Sequence, residues 1–352
     1  MNPTTRSAVM PGVRLGRLSF VWRPRMVLVT ALLAAATFPV FCLSITLGDF
    51  SLTFSQVVSV LLGEGERVDR FVVMDLRMPR ALAGLVVGAA LGLSGALTQS
   101  LARNPLASPD ILGVTGGASM VAVFLVTVSG GASTVIAGAI GLSAAALVGG
   151  LGTGLLVYLL AWRKGIDGFR LILIGISVSA VTQAITTWLL TTADIRDVAR
   201  AQAWLVGSLD NRSWDEVSLA AWGALGLTVV VAVVSFELKP LHLGDDVAAG
   251  LGVRHGMVRA VLLLCAVLLA GVAVSAAGPV PFVALVAPHV ARRLTRSPVP
   301  PLVASCAVGS LLLIGADLVA RTALPIVPPV GVVTAAVGGP FLVYLLVRAN
   351  RR

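Results

Sequence analysis

Acidic side chains are scarce in this sequence: 16 of 352 residues are Asp or Glu, against 26 Lys or Arg, and charged residues of both signs make up only 12%. Inside the long apolar runs Asp317 is the lone exception to their absence. A charge at mid-bilayer costs at least about 3 kcal/mol on insertion scales, so transporters coupled to protons or sodium reveal themselves by buried acids. A chain without them has no obvious machinery for ion coupling. Catalytic constellations are missing too. No G-x-x-x-x-G-K-[ST] loop is present to cradle ATP phosphates, no H-E-x-x-H occurs, and His242, His255 and His289 are isolated. If ATP drives this chain, the ATPase is a separate polypeptide. The three cysteines, Cys42, Cys265 and Cys306, all fall inside apolar runs, which argues against a disulfide framework, and no metal spacing emerges from them.

What the sequence has in abundance is apolar length. Hydrophobic residues make up 57% of the chain, and the mean hydropathy is +0.97, far outside the range of a soluble domain. Runs long enough to cross about 30 Å of hydrocarbon recur throughout. They read as ten spans near 26–48, 81–101, 111–128, 134–161, 171–192, 217–236, 258–277, 280–291, 301–324 and 330–347, the eighth being short and entered through "GPVPF". Runs of this length suit helices, because barrel strands would be about half as long with polar alternation. The expected fold class is all-α, a polytopic inner-membrane protein. A cleaved signal is disfavoured, since the first run is too long for an h-region and no small-residue cleavage motif follows Leu47.

Ten spans put both termini on one side. That side would hold 18 of the 26 basic residues and the other side 8, so the positive-inside rule places both termini in the cytoplasm. Residues 1–25 then form a basic cytoplasmic segment and 26–352 the transmembrane domain. The acids lean outward, so the net charge of +10 is a topology signal. Basic residues scattered over short loops exclude a nucleic-acid partner.

Between the second and third spans lies "ARNPLASPDILG", residues 102–113. Asn-Pro biases the preceding residue away from helix and Ser108-Pro109-Asp110 starts the next one, so the stretch reads as a tight turn. In "GLVVGAALGLSG", Gly84, Gly88, Gly92 and Gly95 share one helical face at spacings that permit close helix contact.

The segment "LRMPRALAGLVVGAALGLSGALTQSLARNPLASPDILGVTGGA" resembles the signature of FecCD-type permeases, the membrane subunits of ABC importers for iron-siderophores, haem and vitamin B12. The resemblance continues in "WRKGIDGFRLILIGI", "LGDDVAAGLGV", "AGPVPFVALVAPHVARR" and "GADLVARTALPIVPPVGVVTAAVGGPF", from about residue 70 to the end. Within the family, "RNPLASPDILG", "WRKGIDGFR" and "ALVAPHVARR" look most like ferric-enterobactin-type subunits. The resemblance implies a ten-helix subunit paired with a like subunit, a heterodimer being favoured and a homodimer the alternative. Two ABC ATPases that bind the ATP would lie beneath it and a solute-binding protein above. No cofactor and no metal would be held by this chain itself.

The same resemblance assigns roles to residues. Arg77, Arg80 and Arg321 match positions that receive acidic residues of the binding protein, a role that suits arginine's fork of donors. Their other reading is local, as snorkelling side chains or as pairs of Arg77 with Asp75 and Arg321 with Asp317. "LGDDVAAGLGV" looks like the family's coupling loop, near 237–257. There Gly244, Ala248, Ala249, Gly250, Leu251 and Gly252 would offer a small-residue surface to the ATPase, and Asp245 and Asp246 would occupy the first helical turn. Asn104 and Pro105 would sit near the inner mouth of the pathway. His289 reads as a hydrogen-bonded helix-end residue, and the acidic segments 49–76 and 193–216 as caps on the outer mouth. The expectation is a non-enzymatic permease for an iron-siderophore, with haem or cobalamin as alternative cargo and an ion-coupled carrier as the rival mechanism.

Overall fold

The structure is a computed structural model that describes residues 12–15, 18–21, 23–48, 50–128, 133–162, 168–238, 250 and 255–349. These residues hold twelve helices: α1 (Pro24–Thr46), α2 (Phe54–Leu61), α3 (Arg67–Leu101), α4 (Val114–Val128), α5 (Ser133–Ala161), α6 (Gly168–Thr192), α7 (Ile195–Leu205), α8 (Trp214–Val234), α9 (His255–Ala277), α10 (Val283–Thr295), α11 (Leu302–Thr322) and α12 (Val330–Ala349). Eight are long and apolar enough to cross a membrane. The third and eighth expected spans appear as the shorter α4 and α10, of 15 and 13 residues. A short antiparallel ladder joins Gly12–Leu15 to Leu18–Val21 within the N-terminal segment, which the sequence reading left without structure.

Two elements depart from the apolar pattern. α3 extends N-terminally beyond the run that begins at 81, through a helical turn Arg67–Arg70 and a π-helical stretch Phe71–Arg77. Its charged residues hide this extension from a hydropathy reading. α5 is broken at Gly141, where φ of 71° and ψ of 148° are a backbone state glycine adopts without steric cost.

α3 and α9 form the centre, with 78% and 72% of their apolar windows buried, whereas α1 buries 6% and so faces lipid or another subunit. Lipid is as apolar as leucine, so close packing and polar contacts hold these helices together rather than hydrophobic transfer. Along α3 the glycine face meets backbone: a Cβ on Gly88, Gly92 or Gly95 would overlap the carbonyls of Gly309, Ser305 or Ala284. The Ser94 hydroxyl donates to the Ala266 carbonyl at 2.5 Å, and that of Ser310 to Leu85 at 2.8 Å.

Helix ends sort into two groups. At one end the Arg25 guanidinium donates to the Leu294 carbonyl, and the turn after α3 meets α10. At the other end gather the C-termini of α1 and α11, the start of α3 and the turn after α7. The second group is called the outer end below, after the orientation expected from the charge count.

Candidate functional site

The outer end of the bundle holds a cleft of about 590 Å³ whose polar side chains come from three separate segments. Arg77 and Arg80 stand one helical turn apart where the π-helical stretch of α3 gives way to α-helix. Arg321 comes from the last turn of α11, and Arg212 from the turn that leads into α8. The structure thus brings the three arginines singled out in the sequence into one cleft and adds a fourth.

Each is held differently. The Arg77 side chain is buried, and its Nη1 donates to the carbonyls of Ile45 at 3.0 Å and Thr46 at 2.7 Å, while Nη2 donates to that of Phe50. The last carbonyls of a helix lack intrahelical donors and carry its partial negative charge, so an arginine there closes the helix. Arg77 thus caps α1, and these bonds do not involve Asp75.

Arg80 and Arg321 share one carboxylate. Asp317 has only 3% of its side chain exposed; it accepts from Arg80 Nε at 3.1 Å on both oxygens, from Arg80 Nη2 at 2.9 Å and from Arg321 Nε at 3.1 Å. The local Arg321–Asp317 pair read from the sequence is present, one half of a larger cluster. Arg321 also reaches α1, donating to the Ser44 carbonyl at 3.1 Å and to the Leu47 carbonyl at 3.2 Å. Arg80 Nη1 donates outward to Asp210 at 2.7 Å. The two guanidiniums offset part of the desolvation of the buried Asp317 carboxylate, and with Asp210 on the outward side of Arg80 the two carboxylates balance the two guanidiniums. The trio ties α1, α3 and α11 together.

At the opposite end, the turn after α3 has the form expected of "ARNPLASPDILG". Asn104 Oδ1 accepts from the Leu106 amide at 2.9 Å, a 3₁₀ turn covers Pro109–Leu112, and Gly113 sits at φ 78°. His289 Nε2 lies 2.7 Å from the Pro105 carbonyl. A carbonyl only accepts, so Nε2 carries the proton; the histidine is hydrogen-bonded as expected, but it fastens the turn from the middle of α10 and not from a helix end. Asp110 accepts from the Thr115 hydroxyl, and burial pushes its carboxyl above the usual range. Of the coupling-loop residues, Gly244, Asp245, Asp246, Ala248, Ala249, Leu251 and Gly252 lie outside the described residues, and Gly250 has open space where a Cβ would stand.

Sequence reasoning missed a second cavity, of about 660 Å³, whose hydroxyl and amide wall also includes the Asp110 carboxyl. Ser179, Gln183 and Thr187 of α6, Thr115 and Ser119 of α4 and Gln202 of α7 line it. The spacing of 179, 183 and 187 along one face of α6 is a helical signal that was there to be read. Among the described residues no group of three or more His, Cys, Asp or Glu could hold a metal ion.

A multi-pass helical bundle with a cationic outer cleft and a polar wall along otherwise apolar helices defines a membrane transport subunit. The chain belongs to the FecCD transport family, whose model matches residues 31–348. It is 42% identical over 306 residues to the ferric enterobactin transport system permease protein FepG of Escherichia coli strain K12, covering 87% of this chain and 91% of that protein. It is 37% identical over 319 residues to the iron(3+)-hydroxamate import system permease protein FhuG of Bacillus subtilis strain 168, covering 88% and 94%. A solved chain described as an inward-facing conformation of a metal-chelate type ABC transporter superposes with a TM-score of 0.78 at 26% identity, covering 91% of this chain and 99% of that one.

Proposed function

We propose that this chain is the permease subunit of an ABC importer that moves iron-siderophore complexes from a solute-binding protein to the cytoplasm. The observation that carries the reading is the match over nearly the whole chain to permeases named for ferric enterobactin and iron(3+)-hydroxamate transport. The cleft supports it. Arginines at the start of α3 and the end of α11 offer charge-assisted bonds to carboxylates on the lobes of the binding protein, with Arg80 and Arg321 carrying the docking and Arg77 positioning α1 beside them. The hydroxyl and amide wall of α4, α6 and α7 offers a chelate exchangeable hydrogen bonds, with Asp110 the one acidic side chain among the lining residues. ATP would be bound and hydrolysed by two partner ATPases and its energy received through the segment near 237–257. A second FecCD-type chain, different from this one, would complete the pathway, with both termini in the cytoplasm.

Uptake of radioactive iron loaded on a panel of siderophores tests this, in cells lacking the gene and in cells carrying Arg80→Glu. Uptake of one siderophore should be lost in both strains while the variant still inserts in the membrane. Normal uptake of every siderophore in the deletion strain, with no redundant permease present, would overturn the iron assignment. Arg77→Glu is unsuited to the experiment, because it would release the end of α1.

A further inference from the structure

Arg80 holds two carboxylates that differ in kind. Asp317 is buried beneath it and engages Nε and Nη2, whereas Asp210 engages only the outward Nη1, with 63% of its own side chain exposed. The turn that carries Asp210 is fixed independently of this bond. Leu209 is buried in the core, the Ser208 amide donates to the Ala277 carbonyl at 2.8 Å, and the Gly331 amide donates to the Gly207 carbonyl at 3.1 Å. The Asp210 side chain can therefore leave Arg80 by a change of rotamer, without unfolding the turn. It would not be stranded: Arg212, two residues on, lines the same cleft, pairs with Glu216 at 3.3 Å and has a buried Nε with no acceptor among the described residues.

We propose that Asp210 is a resident placeholder for a docking carboxylate. It occupies the outward nitrogen of Arg80 in the undocked permease, and an acidic side chain on the face of the solute-binding protein displaces it. This rests on the docking reading given above and adds to it a competitor built into the receptor. The placeholder keeps the guanidinium oriented by Asp317 and neutralised from outside. A partner must then match the Asp210 contact before it gains from the site, which discriminates against stray anions.

The test measures docking of the solute-binding protein that restores uptake with this permease, using the assembled transporter in lipid nanodiscs at low ionic strength. Asp210→Asn should tighten docking by up to about fivefold, the range of an exposed ion pair. Asp210→Glu, which keeps the charge, should restore wild-type affinity. In an Arg80→Gln background, Asp210→Asn should have no effect. If Asp210→Asn tightens docking equally with and without Arg80, the effect is a general field and the placeholder is overturned. Unchanged or weaker docking of Asp210→Asn also overturns it, with the docking reading intact so long as Arg80→Gln and Arg321→Gln weaken binding. If those two variants dock normally, the docking reading itself fails.

Discussion

Replacing Asp317 by Asn is the sharpest probe of the outer cluster, because it removes one charge and almost no volume. Asp317 accepts from Arg80 through Nε and Nη2 and from Arg321 through Nε, at 2.9 to 3.1 Å, with 3% of its side chain exposed. Asparagine retains one acceptor oxygen, turns an amide donor toward a guanidinium and leaves two arginines facing each other without their anion. Removing one partner of a buried ion pair costs about 3–5 kcal/mol. Arg80 keeps Asp210, and Arg321 keeps its bonds to Ser44 and Leu47, which favours the lower end. At about 2.1 cal/mol/K of unfolding entropy per residue, 352 residues give about 0.7 kcal/mol/K, and the midpoint should fall by about 4–7 °C. Thermal unfolding in nanodiscs can be followed through the thiol of Cys265, 3% exposed, after Cys42→Ala and Cys306→Ala remove the two more exposed cysteines. Adding Arg80→Gln to Asp317→Asn should cost less than the sum of the two single changes, since it removes one of the stranded charges. A midpoint within about 1 °C of the parent, less than about 1 kcal/mol, would refute the claim that this carboxylate holds three helices together.

Other substitutions probe the remaining contacts. Gly92→Leu should abolish accumulation of folded protein, because even a Cβ overlaps the Ser305 backbone; near-normal membrane levels by immunoblot would contradict that packing. His289→Ala strands the Pro105 carbonyl at a cost of about 1–3 kcal/mol, whereas His289→Gln keeps a donor. Trypsin should cut faster at Arg103 in the alanine variant than in the glutamine one. Burial raises the Asp110 carboxyl, so the folded chain holds that proton to higher pH than the unfolded chain, and stability is lost as pH rises through the folded value. Asp110→Asn should therefore raise the thermal midpoint at pH 8 relative to the parent, with the difference vanishing in acid. Thr53→Ala removes the side-chain half of the capping box with Gln56 and should cost α2 about 1 kcal/mol, seen as faster amide exchange confined to residues 54–61.

The helices were legible because membrane helices announce themselves by length alone: each of the ten apolar runs is the body of a helix, including the two that are short. What lay hidden was structure without an apolar signature. The lead into α3 carries Arg67, Asp69, Arg70, Asp75 and Arg77, so hydropathy begins the helix late, whereas the backbone runs on through a π-helical stretch. The break at Gly141 looks like any other glycine in a glycine-rich span. At the site, arginine positions were readable, but their partners were not. The i,i+4 spacing reveals Arg321 with Asp317, yet nothing local reveals Arg80 with the same carboxylate 237 residues away. Arg77 was harder again, since three of its acceptors are backbone carbonyls, which every residue possesses.

These contacts also limit how the bundle can move. The α3–α11 seam is backbone against backbone at Gly88 with Gly309 and at Gly92 with Ser305, pinned at its outer end by the Arg80–Asp317–Arg321 trio. Sliding along this seam would have to carry backbone past backbone and break the trio at its outer end. α3 and α11 must therefore shift as one piece, carrying α1 with them through Arg77 and Arg321. Compliance has to come from less buried helices. α6 and α12 bury only 22% of their apolar windows, and α6 bears the polar face at Ser179, Gln183 and Thr187. On the docking reading proposed above, a partner at the outer cleft would act on a rigid block, and a path for cargo would open where that block meets the less buried helices.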